Sequence, residues 1–204
     1  MYIPSAFNVT DPAVLARFIQ ENSFATVVTN AENRPFASHL PILFGASPSP
    51  SGKLLGHMAR ANPQWQHFAD GHEALAIFHG PHAYISPRWY ESKLVVPTWN
   101  YAVVHVYGVP TLIEDEATVA ALINRTVEAY EGNGPEAWKG DPDFVSKLLK
   151  AIVAFEMPIT RIEGKFKLGQ NRQPADVAGA YKALSQSDNP ADRALAQFMN
   201  AWSR

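Results

Sequence analysis

The segment Gly56-His57-Met58-Ala59-Arg60-Ala61-Asn62-Pro63-Gln64-Trp65 passes from a strand-like run into a turn and then into a helix start. Asn62 suits an N-cap, because its side chain can accept from an unpaired backbone N–H, and Pro63 suits the first helical position, where no N–H is needed. A strand ending at such a junction presents free backbone donors, which are good ligands for phosphate. Arg60 adds a permanent charge and Asn62 adds amide donors, so three kinds of phosphate ligand meet within three residues. By spacing alone the same residues also read as an ordinary capped helix with a surface arginine.

Upstream, Phe24 to Thr29 is rich in β-branched residues, Asn30 to Arg34 is turn-forming and Pro35 to Phe44 is again apolar. This predicts a hairpin, with Pro41 at an edge or a bulge. Before it, Asp11-Pro12 supplies a cap and a first-turn proline for a helix over 12–22. Gly45 to Gly52, with two prolines and three serines, reads as a surface loop.

Lys53 to Met58, Ala74 to His79 and Thr98 to Ile113 are further strand candidates, the last bending near Gly108 and Pro110. Val119 to Tyr130 has helical spacing after the acidic Glu114-Asp115-Glu116, and Phe144, Leu148, Leu149 and Ile152 suggest another helix. Arg161 to Leu168 alternates as an amphipathic strand, with Arg161, Glu163, Lys165 and Lys167 on one face. Two helices separated by Ser185 to Pro190 follow. The expectation is a mainly β chain with helices, α+β, as one domain over 1–204 with a helical appendage at 174–204.

Of the 204 residues 47% are hydrophobic and 18% charged, the balance of a globular protein with a sizeable core. A net charge of -2 gives no general attraction for nucleic acid or anionic membranes, and the lack of cysteine removes disulfides and thiolate chemistry. The start carries no signal-peptide pattern and no segment has the length to span a bilayer, so cytoplasm is the expected location. Neither G-x-G-x-x-G, a P-loop nor G-x-S-x-G occurs. His79-Gly80-Pro81-His82 reads as a strand-to-turn junction lacking a third ligand, so no metal site is expected.

Several blocks together resemble the PaiB family of FMN-binding split-barrel proteins: Met1-Tyr2-Ile3-Pro4, Ser38-His39-Leu40-Pro41, Gly56 to Trp65, Tyr84 to Tyr90, Pro97-Thr98-Trp99-Asn100-Tyr101 and Lys165 to Arg172. They span the chain in family order. The resemblance implies a six-stranded, pyridoxamine-phosphate-oxidase-like split barrel that forms a homodimer with FMN at the subunit interface. Carried over by position, Ser38 and His39 are expected beside the flavin ring or ribityl chain, and His57, Arg60 and Asn62 at the phosphate. Asn100 belongs to the cofactor-binding set, as do Lys167, Gln170, Asn171 and Arg172, which match a late K-L-S-Q-N-R motif. Gly169 stands where serine is usual, removing a hydroxyl and, by expectation, loosening the backbone. Trp99, Tyr101, His105 and Tyr107 share one strand face, which could wall a flat ring or, more commonly, fill the barrel.

The family is described as negative transcriptional regulators. Residues 174–204 set Lys182, Arg193 and Arg204 against Asp176, Asp188 and Asp192, no basis for a DNA-reading helix, so regulation is expected to be indirect, through flavin or ligand binding. A flavin-dependent oxidoreductase using NAD(P)H is the alternative reading, and a haem-binding split barrel the third.

Overall fold

The computed structural model describes residues 1–46 and 51–202, so the tip of the expected Gly45–Gly52 loop lies outside the described residues. In chain order its elements are β1 (Asn8–Val9), α1 (Pro12–Glu21), β2 (Phe24–Ala31), β3 (Arg34–Gly45), β4 (Lys53–Ala59), β5 (Ala74–Ile85), β6 (Thr98–Gly108), β7 (Thr111–Ile113), α2 (Glu116–Glu131), α3 (Pro142–Leu149), β8 (Ile152–Lys167), α4 (Pro174–Ser185) and α5 (Pro190–Trp202). Short 3-10 turns include Pro63–Asp70 and Pro87–Trp89.

The expected hairpin is present. β2 and β3 pair from Phe24 opposite Pro41 to Ala31 opposite Arg34, leaving Glu32 and Asn33 as a two-residue turn at φ 51° and 60°. Tight hairpin turns need left-handed backbone at both central residues, because that twist matches the strands. β3 is not an edge strand: it lies between β2 and β4, with pairing to β4 starting at Ile42, one residue past Pro41. The missing N–H therefore falls just before the second ladder begins.

β5 continues through His79-Gly80-Pro81-His82 to Ile85, where the sequence suggested a turn. A Cβ on Gly80 would lie 2.7 Å from the Phe18 ring, so glycine there permits close packing rather than a bend. The expected strand over Thr98 to Ile113 breaks into β6 and β7 at Val109-Pro110. β8 is twice the predicted length and takes in Ile152, which the pattern had joined to a helix. Its first half buries Val153, Phe155, Met157 and Ile159 on one face, and on the other Ile152, Ala154 and Pro158 are apolar too, so the sequence there carries no period-two signal.

The hydrogen-bonded strand order is β1-β8-β4-β3-β2-β5-β6, with β7 on β8 and a further β8–β6 pairing. That last pairing makes a cycle of six strands, β8-β4-β3-β2-β5-β6. No described helix is long and apolar enough to cross a membrane.

The chain divides into two compact units. The first (1–18, 79–105 and 163–204) is centred on aromatic packing: Phe166 lies 5.0 Å from Phe18, 5.3 Å from Phe198 and 4.9 Å from Trp202 by ring centroids. α4 and α5 thus form part of its core. The second (19–78 and 106–162) buries Ile42, Leu54, Met58, Phe68 and Phe155, the last two 5.2 Å apart. On the other face of β4, Leu55 packs with Ala154 and with Leu122 of α2.

Candidate functional site

The strand-to-helix junction of the second unit forms as its residues dictate. Asn62 Oδ1 accepts from the Gln64 N–H at 3.0 Å, capping the Pro63–Asp70 turn, and its Nδ2 donates to Ser38 Oγ at 2.8 Å. Gln64 is buried, and its amide nitrogen donates to the Val27 carbonyl at 2.9 Å and to Thr29 Oγ1 at 3.2 Å. The amide of Asn62 is therefore occupied by the protein itself, and Gln64 is a structural anchor hidden inside the quoted segment.

Arg60 is also engaged internally. Its Nε donates to the Lys150 carbonyl at 3.0 Å and its Nη2 to the Ile152 carbonyl at 2.9 Å, while its backbone N–H donates to Ala151 at 2.8 Å. The guanidinium thus ties off the carbonyls where α3 gives way to β8. It lines a cavity of about 480 Å³ with Trp65, Glu114 and Glu116, and two carboxylates there oppose an anionic ligand.

Ser38 and His39 are neighbours on β3 and so face opposite sides. His39 shares a hydrogen bond with Thr26 Oγ1 through Nδ1 at 3.0 Å, and its ring stacks on exposed Phe24 with centroids 6.3 Å apart. His57 lies on the α2-covered face of β4, shared with Leu55 and opposite to Leu54, Gly56 and Met58. Its Nδ1 is buried without a hydrogen-bond partner, and burial holds its pKa below the ordinary histidine value. Leaving such an atom unpaired costs about 1–3 kcal/mol.

In the first unit the late segment gathers positive charge. Lys165, on the charged face of the alternating strand, is buried: its Nζ donates to the Tyr2 carbonyl at 3.0 Å and sits 5.4 Å from the rings of Tyr2 and Tyr101. Lys167 Nζ donates to Thr98 Oγ1 and to the Trp99 carbonyl, each at 2.6 Å. Burial first, then the charges of Arg172 and Lys165, push the Lys167 pKa below the usual lysine value. Arg172 lies 5.3 Å from the Tyr90 ring.

Gln170 closes the turn after β8, accepting from the Leu168 N–H at 2.8 Å and donating to the Phe166 carbonyl at 2.6 Å, while Asn171 is exposed. Gly169 has φ +96°, so glycine suits this backbone rather than loosening it. A Cβ built there would lie 3.4 Å from Val177 Cγ2 and 3.9 Å from Nδ2 of buried Asn100.

The aromatic row does not fill the barrel. On β6, Ala102, Val104 and Val106 are buried, while Trp99, Tyr101, His105 and Tyr107 occupy the less buried face. Trp99 stacks on His82, centroids 5.9 Å apart, and donates from Nε1 to His82 Nδ1 at 3.3 Å. No group of three or more metal-binding side chains occurs among the described residues. Sequence reasoning missed Asp176, buried in the first turn of α4, which accepts from the backbone N–H groups of Glu91 and Ser92 and from Ser92 Oγ. An aspartate two residues after Pro174 signals a helix start but not so distant a partner.

The sequence profile of a family described as "Putative FMN-binding domain" matches residues 1–161. Protease synthase and sporulation protein PAI 2 of Bacillus subtilis is 39% identical over 98% of this chain and 96% of that protein. Among solved structures, the flavocytochrome Anf3 from Azotobacter vinelandii superposes with a TM-score of 0.66 at 15% identity, over 84% of this chain and 75% of that one. The FAD and heme binding protein from Mycobacterium smegmatis gives 0.63 at 17% identity, over 84% and 78%. At such identities these two likenesses speak for the fold alone. The sequence matches carry the cofactor, and the crowded cations beside a left-handed glycine are chemically suited to a phosphorylated, electron-rich ligand. The chain belongs to the PaiB family of FMN-binding split-barrel proteins.

Proposed function

We propose that Lys167 and Arg172, with Asn100 and the backbone around Gly169, hold the charged end of FMN, and that the protein is a cytoplasmic homodimer with FMN at its subunit interface. The observation that carries this is the grouping of Lys165, Lys167 and Arg172: burial first, then the charges of Arg172 and Lys165, lower the Lys167 pKa, and an anion would offset the charge part. Asp176 is the carboxylate whose charge interacts with Arg172, and it is already held by Ser92 and Glu91. Ser38 and His39 are proposed as polar neighbours of the flavin. Arg60 and Asn62 support the second unit from within, and Gln170 shapes the turn that carries Asn171 and Arg172.

FMN supplies reversible one- and two-electron chemistry, and a cation near the N1–C2=O edge favours its reduced form. The chain's own residues bind and orient it. Regulation of transcription is proposed to be indirect, because α4 and α5 lend their apolar faces to the first unit and their charges balance. Titrating apoprotein with FMN, with sedimentation of the loaded protein, tests the reading. The expected result is a yellow dimer whose affinity falls in Lys167→Met. A colourless protein that takes up no FMN overturns it. A tight, salt-sensitive gel shift would make regulation direct, and rapid anaerobic bleaching by NADH or NADPH would make the protein an oxidoreductase.

A further inference from the structure

Residues 90–97, the irregular stretch between the Pro87–Trp89 turn and β6, are anchored at both ends within the first unit. At the first foot the N–H groups of Glu91 and Ser92 donate to Asp176 Oδ1 at 2.9 and 3.0 Å, and Ser92 Oγ donates to Oδ2 at 2.7 Å. The Tyr90 ring beside them lies 5.3 Å from the Arg172 guanidinium. α4 presses on the residue just before: a Cβ on Gly179 would fall 2.0 Å from the Trp89 carbonyl oxygen. At the second foot Thr98 Oγ1 and the Trp99 carbonyl accept from Lys167 Nζ. Between the feet Leu94 is fully exposed and Val96 is 65% exposed, so little packing holds this stretch and its position rests on the feet.

Each foot bears on one of the two cations assigned above to the charged end of FMN. The charge of Arg172 acts on Lys167, so like charges under the two feet push them apart. An anion held by both cations turns that repulsion into attraction, and it need not displace either foot. Lys167 Nζ has three donors, of which Thr98 and Trp99 take two, and the Arg172 guanidinium has five. The second foot is continuous with β6, whereas the first hangs on one carboxylate and one ring.

We propose that residues 90–97 form a strap whose hold on the first unit depends on flavin: FMN held by Lys167 and Arg172 fastens both feet, and its loss frees the first. Leu94 and Val96 then carry the state of the cofactor to the surface. Asp176 joins the two events, because it holds Glu91 and Ser92 while its charge acts on Arg172. The strap rests on the placement of FMN at Lys167 and Arg172, and it supplies the ligand-dependent change that indirect regulation requires.

The test is amide hydrogen exchange of unmutated protein with and without saturating FMN. FMN should slow exchange at Glu91 and Ser92 by about tenfold, within the usual range for two coupled sites, and leave residues 132–140 of the second unit unchanged. Tyr90→Leu should still bind FMN but lose most of that protection. The sequence has no cysteine, so Leu94→Cys carries a single spin label, whose mobility should fall when FMN is added. Flavin that binds without slowing Glu91 and Ser92, or that slows the whole chain alike, overturns the strap and leaves the flavin site standing. Label mobility indifferent to bound FMN does the same. Protection undiminished in Tyr90→Leu also overturns it, by showing that the flavin covers these residues directly. Unchanged FMN affinity in Lys167→Met, or protein that takes up no FMN, instead removes the flavin placement on which the strap rests.

Discussion

The junction around Arg60 and Asn62 and the segment from Lys165 to Arg172 both place cations next to a turn, but they differ in the charge and burial around those cations. At the junction, Arg60 donates to two backbone carbonyls and Asn62 uses both ends of its amide, so this polar chemistry is satisfied inside the chain. In the late segment burial first, and then the charges of Arg172 and Lys165, hold the pKa of Lys167 down. Both regions give their cations internal partners, but only at Lys167 do neighbouring positive charges add to burial, an imbalance that a bound anion would reduce.

The largest effect should come from removing that crowding. Lys167→Met or Arg172→Ala is expected to weaken FMN binding by about 1.5–3 kcal/mol, the scale of one charge-assisted hydrogen bond, as read by fluorescence titration of apoprotein. Arg60→Ala should leave FMN affinity almost unchanged. If the order is reversed, the phosphate belongs at the junction and the comparison is broken.

The junction should instead respond in stability. Asn62→Ala loses a helix cap and the bond to Ser38, an expected loss of about 1–2 kcal/mol in chemical denaturation. Arg60→Ala removes two hydrogen bonds at an exposed site, so about 1 kcal/mol is expected. Both variants should bind FMN with near-normal affinity once folded.

The sequence showed the hairpin, the capped junction and the helices α1, α2, α4 and α5 because each rests on local chemistry, as at Glu32-Asn33, Asn62-Pro63 and Asp115 before Glu116. It did not show that β5 runs on past Pro81, because Gly80-Pro81 reads locally as a turn, or that β8 begins at Ile152, because Ile152, Ala154 and Pro158 are as apolar as the buried Val153, Phe155 and Met157 they alternate with. For the site, the cations were legible as residue types. Which of them are internally satisfied was not, because the acceptors of Arg60 lie 90 or more residues away, at Lys150 and Ile152. Asp176 and Ser92, 84 residues apart, escaped for the same reason.

Gly169 sharpens the late segment. Its φ of +96° is one that L side chains rarely adopt, while a Cβ would meet only ordinary contacts with Val177 and Asn100. Gly169→Ser should therefore cost about 1 kcal/mol of stability through the backbone, without a clash. FMN affinity then reports on the hydroxyl alone: a gain in affinity despite lower stability would show that a serine oxygen reaches the cofactor.

The smallest effect is confined to a pH window and separates two lowered pKa values with different causes. At His57 the cause is burial, so the folded protein resists protonation more than the unfolded chain does. Stability is then full above the unfolded histidine value of about 6.5 and falls as pH drops through the lower folded value. His57→Leu should flatten that acid limb in urea denaturation while leaving stability near pH 8 almost unchanged. At Lys167 like charges add to burial, so stability should rise with pH between the lowered value and about 10.5, where the unfolded chain still holds its proton. FMN should shrink the alkaline slope by offsetting the charges of Arg172 and Lys165, leaving the part that burial causes, and should leave the His57 limb where it was. A flavin that erased the acid limb instead would place its charge near β4, and would exchange the roles of the two regions.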